Sequence, residues 1–96
     1  MLDSAKIEQI AKSVATANLS SGSVSTVLSE PFIDSEGHDA VRITIVLAPN
    51  STSGIKGNTV LDTLVEIKNK LQRAGEDRFP LVEFATAAEL EQSGSG

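Results

Sequence analysis

The sequence contains no cysteine, which excludes disulfide bridges, thiol nucleophiles and thiolate metal sites, and suits a reducing compartment. Tryptophan and tyrosine are also absent, and the three aromatic residues are all phenylalanine. The side chains that most often anchor tight interfaces are therefore missing. No stretch approaches the ~18 consecutive apolar residues of a membrane span. The N-terminal MLDSAKIEQIAK mixes acidic with apolar residues and does not read as a signal peptide, so a cytoplasmic location is expected. Basic residues are in deficit: 8 Lys and Arg against 13 Asp and Glu leave a net charge of −5. That balance opposes non-specific attraction to nucleic-acid phosphates and anionic membranes.

With 40% hydrophobic and 22% charged residues the composition is that of an ordinary globular chain. Its 96 residues suffice for one core, expected over 1–92, with a flexible Ser/Gly tail at 93–96. The clearest local signal is Ala40 to Leu47, where Val41, Ile43, Ile45 and Leu47 alternate with Ala40, Arg42, Thr44 and Val46. Such alternation makes a strand with one buried face. Ahead of it, Asp3 or Ser4 caps a helix whose stripe is Ile7, Ile10, Ala11 and Val14, ending near Asn18 before the break at Ser20 to Ser23. A strand from about Val24 follows. Its Val24, Thr26 and Leu28 are expected on one face and Ser25, Val27 and Ser29 on the other, with Pro31 marking an edge or bulge. Asp34 to Gly37 then forms a turn returning this strand as a hairpin.

Beyond the polar stretch Pro49 to Gly57, a second helix is expected from about Thr59 to Ala74. Asn58 or Thr59 caps it, with Asp62 three residues after Thr59 completing a box-like start; Val60, Leu61, Leu64, Ile67, Leu71 and Ala74 form the buried stripe, and Gly75 a left-handed stop. Leu81 to Ala85 reads as a third strand. Thr86 and Glu89 cap room for a short C-terminal helix over Ala87 to Gln92. The fold expected is α+β, a two-layer sandwich of order α-β-β-α-β with two helices on one face of a three-stranded sheet. Strand order stays open between 2-1-3, all antiparallel, and 1-2-3 with a parallel pair across the second helix. The sheet face away from the helices would carry Val27, Arg42, Thr44, Val46, Leu81 and Glu83, a mixture suited to an interface with a second copy or another protein.

Catalytic chemistry finds little support. Asp34, Glu36, Asp39 and His38 lie within six residues, yet neither a calcium loop nor a zinc site matches the spacing, and a solvated turn is the plain reading. No serine sits in a strand-to-helix elbow, and no pair of acids converges. Lys68, Lys70, Arg73 and Arg78 make the exit of the second helix locally basic, read as a mixed solvated face with an acidic partner as the alternative.

Gly54, Lys56, Gly57 and Asn58 precede a helix start and form a candidate loop for phosphate or nucleic acid. The Gly54-Ile55-Lys56-Gly57 tetrapeptide resembles the GXXG loop of KH RNA-binding domains, and the element order is similar to the second topological class of that family. The resemblance implies that Gly54 to Gly57 would contact nucleotide backbone, with Lys56 supplying charge. The leading expectation is a small bacterial-type cytoplasmic protein that is not an enzyme and needs no cofactor or metal. It would act by protein–protein contact, as a homodimer or as a regulatory, antitoxin-like partner subunit. A KH-like RNA-binding module is the alternative.

Overall fold

The computed structural model describes residues 2–19, 22–49 and 57–86. Its elements are α1 (Ser4–Leu19), β1 (Val24–Ile33), β2 (Asp39–Leu47), α2 (Gly57–Arg73) and β3 (Phe79–Thr86). This is the expected α+β order. The sheet runs β1-β2-β3, with β1 and β2 antiparallel and β2 and β3 parallel. The crossover through α2 thus decides the strand order that the sequence left open. The expected short helix over 87–92 and the tail at 93–96 lie outside the described residues.

Local chemistry explains each boundary. Asp3 caps α1 by accepting the Lys6 N–H at 2.8 Å on Oδ1. Helix α2 begins at Gly57, so Asn58 and Thr59 lie inside it and do not cap it. Its other end is a Schellman closure: Gly75, at φ 103°, donates its N–H to Gln72 O, and Glu76 N–H reaches Leu71 O. The hairpin turn is built by Asp34, whose Oδ1 accepts the N–H groups of Glu36 and His38 at 2.9 and 2.8 Å. Gly37 completes it at φ 86°. Alanine there meets open space but must hold a left-handed backbone, so Gly37→Ala is expected to cost about 1 kcal/mol in chemical denaturation, and Gly37→Asn less.

The core lies between the helices and one sheet face. Ile7, Ala11, Val14 and Ala15 of α1 and Ile67 and Leu71 of α2 pack with Val24, Val27, Val41, Ile43, Ile45 and Leu47. Two expectations are corrected. Val27 does not belong to the face away from the helices: it pairs with Ile45 and is only 4% exposed. An extra residue, Ser25, shifts the register between Val24 and Thr26, so Val24 and Val27 both turn inward and Thr26, Leu28, Glu30 and Phe32 turn outward. In α2 the buried positions are Thr63, Ile67 and Leu71, while Leu61 and Ala74 are exposed. Thr63 is tolerated inside because its hydroxyl donates to Thr59 O at 2.8 Å.

The hydrogen bonds also fix which backbone groups face each sheet edge. Asp34 N–H bonds His38 O, so from Thr26 onward even-numbered residues of β1 and β2 bond each other and odd-numbered residues of β1 face away. Ser29 N–H agrees, bonding the Glu8 carboxylate of α1 at 2.9 Å. Odd-numbered residues of β2 accordingly face β3, and their register partners Pro80, Val82 and Phe84 direct their backbone groups to the outer edge of β3.

Candidate functional site

The outer sheet face is organised around Arg42, in the central strand. Its guanidinium donates to Glu30 Oε1 at 3.2 Å and lies 5.1 Å over the Phe32 ring. Its Nε is 3.0 Å from Glu83 Oε1 without the alignment of a hydrogen bond. Arg42, Glu83 and half-buried Thr44 thus occupy the predicted face, with Arg42 engaged by carboxylates of the same chain. Val46 also lies on it but is 3% exposed, because a central-strand side chain has neighbours on both sides, here Thr26 and Ala85. It is therefore not available as a contact residue. Leu81, on the edge strand, remains 38% exposed.

A group of exposed apolar side chains lies beside Leu81. Leu61 and Val65 of α2 and Phe79 of β3 are 63%, 58% and 58% exposed. Leu64, Val65 and Lys68 form a shallow hollow of about 270 Å³ with residues 79–82, and the Lys68 ammonium lies 5.9 Å over the Phe79 ring. Sequence reasoning missed this site. The available signal was Val65, which fits no position of the buried stripe; Leu61, expected in that stripe, is instead exposed.

The two sheet edges are treated differently. Along β1, the edge is interrupted by the bulge at Ser25, by the Glu8 carboxylate on Ser29 N–H and Oγ, and by Pro31, whose absent N–H would face outward. Along β3, Pro80 is the one such device, leaving Val82 and Phe84 with outward backbone groups. Among the described residues no strand pairs with that edge.

The remaining candidates are separated or already engaged. His38 is solvent-exposed, 3.5 Å from Asp34 and 3.9 Å from Glu36, and Asp34 spends its Oδ1 on turn amides. The His38 backbone N–H, first among its donors, holds the Asp34 carboxyl below its usual range. No group of three His, Cys, Asp or Glu side chains converges among the described residues. The basic exit of α2 is dispersed: Lys68 turns to Phe79, Lys70 lies 3.8 Å from Glu66, and Arg78 binds Glu76. Of the GXXG candidates, Gly54 and Lys56 lie outside the described residues, while Gly57 and Asn58 are exposed at the start of α2.

A second feature that the sequence did not announce is a buried clasp. Glu76, 3% exposed, accepts from Arg78 Nη2 at 2.8 Å and Nε at 2.9 Å and from Leu2 N–H at 3.0 Å. Arg78 Nη2 also donates to Leu2 O at 2.9 Å. The Arg78 hydrogen bonds pull the Glu76 carboxyl down to about 2 against the opposing effect of burial. Through these contacts the clasp holds the entry to α1 against the entry to β3. No helix is long and apolar enough among the described residues to cross a membrane. No protein family, curated protein or solved structure matches this chain.

Proposed function

We propose that this chain is a non-catalytic protein that works by protein–protein contact, with itself or as the regulatory half of a pair, and that the contact runs along the β3 edge. The observation that carries the reading is the coincidence of a strand edge that, among the described residues, pairs with no strand and is interrupted only at Pro80, with the exposed Leu61, Val65, Phe79 and Leu81. An exposed edge offers unpaired N–H and C=O groups to an added strand, and flanking apolar side chains supply the area that backbone pairing alone does not. The β1 edge is blunted and the centre of the outer face is neutralised by its own ion pairs, which leaves β3 as the favoured approach. A cysteine-free, acidic chain with this surface fits a partner in a reducing cytoplasm better than one on nucleic acid or lipid.

The test is amide hydrogen exchange by nuclear magnetic resonance, on labelled protein in buffer and in concentrated cell extract. Contact along β3 slows exchange of the Val82 and Phe84 amides by about tenfold or more in at least one of the two conditions. Exchange at unprotected rates in both would refute the reading.

A further inference from the structure

We infer that the β3 edge pairs with the β3 edge of a second copy, antiparallel about a two-fold axis at Val82, giving a continuous six-stranded sheet; this rests on the contact reading above. In a two-fold pairing the same patch must complement itself, and directly opposed residues must lie on the same sheet face, so the axis falls on a residue. An axis at Glu83 sets Glu83 against Glu83 of the second copy, like charges at the closest cross-strand spacing. One at Leu81 overlaps β3 only from Phe79 to Glu83. With the axis at Val82 the overlap extends from Phe79 to Ala85, and Val82 meets Val82, Leu81 meets Glu83, and Phe79 meets Ala85.

The backbone suits this register. Val82 N–H faces Val82 C=O of the second copy and Phe84 N–H faces Pro80 C=O, each bond being made twice, while the N–H that Pro80 lacks falls at the ends of the seam. The helices suit it as well. Lys68 lies over Phe79, and Leu64 and Val65 line one hollow with Leu81 and Val82, so an axis through Val82 runs along that hollow. It brings Val65 to Val65 and lays Leu61 along the aliphatic stem of Lys68, covering apolar surface that is exposed in the single chain.

Charge is complementary across the seam. Glu83 of the second copy is the diagonal neighbour of Phe79 on the outer face, toward the Lys68 ammonium that Phe79 holds, and the two-fold repeats this at the other end. The blunted β1 edges lie at the far sides of the joined sheet, so pairing closes at two copies and does not propagate into a fibre.

The experiment uses the purified full chain. Light scattering is expected to give twice the chain mass, with Val82 and Phe84 amides protected in buffer. Val65→Cys, in a chain with no other thiol, is expected to oxidise to a covalent dimer, whereas Gln9→Cys on α1 keeps the same mass in solution but forms no covalent dimer. Val65→Lys, an exposed position, is expected to give a monomer with unchanged far-ultraviolet circular dichroism. A monomer at all concentrations, with those amides protected only in extract, overturns the second copy as occupant and leaves the contact reading standing. Unprotected amides in both conditions overturn both. A dimer that survives Val65→Lys and does not cross-link through Val65→Cys places the interface elsewhere and overturns the inference.

Discussion

Glu76→Ala is expected to lower the unfolding free energy by about 3 kcal/mol, the cost of leaving a buried partner unpaired. The substitution strands the Arg78 guanidinium, only 11% exposed in its side chain, and removes the acceptor of Leu2 N–H. The same pair sets the response to acid. Because the carboxyl is held at about 2 when folded against an ordinary 4.5, the folded state favours its ionised form. Its contribution is complete above pH 4.5 and is lost as pH falls from 4.5 toward about 2. Glu76→Gln, which keeps the shape and one acceptor, is expected to flatten that part of the stability curve. Denaturation at fixed protein concentration across pH 7 to 2 measures this, and equal slopes for wild type and Glu76→Gln would show that the clasp contributes nothing. Asp34, whose carboxyl is also lowered, acts in the same direction from an exposed position.

Val27→Asp is expected to abolish or nearly abolish folding, costing about 4 kcal/mol or more, whereas the adjacent Leu28→Asp changes stability by about 0.5 kcal/mol or less. Val27 faces Ile45 inside the core, where a carboxylate would have no partner; Leu28 is 46% exposed on the outer face. Circular dichroism melts of the two variants therefore report the parity of β1 directly. Equal effects would mean that the strand is not bulged at Ser25.

The parity of β1 also shows where sequence reading stops. Strict alternation from Ala40 to Leu47 determined β2 because each apolar side chain returns to the same face at every second residue. No such pattern constrains Val24 to Leu28, where apolar residues stand at Val24, Val27 and Leu28. Only the pairing with β2 reveals that Ser25 is skipped, and with it which side chains are inside. Gly75 and Asp34 were legible for the opposite reason: a left-handed helix stop and a turn-capping carboxylate are decisions made within a few residues.

The candidate site was legible only in part. Leu81 and Glu83 were placed correctly on the outer face, but Val27 and Val46 are buried and Arg42 is held by Glu30 and Glu83, so the free surface lies one strand to the side. The spacing places Leu61 in the buried stripe of α2, whereas Thr63 is buried and Leu61 and Val65 are exposed. Nothing local in the sequence marks Glu76 as the partner of the Leu2 amide at the other end of the chain.

The sequence by itself determined the helices, the hairpin, their order and the two-layer class, because amphipathic period, capping and turn chemistry act over a few residues. Only the tertiary structure decided the parallel placement of β3, the inward turn of Val27, the Glu76–Arg78 clasp and the position of β3 at the end of the described sheet. Each of these depends on which distant segments meet, and residues far apart in the chain carry no local signature of the partner they will find.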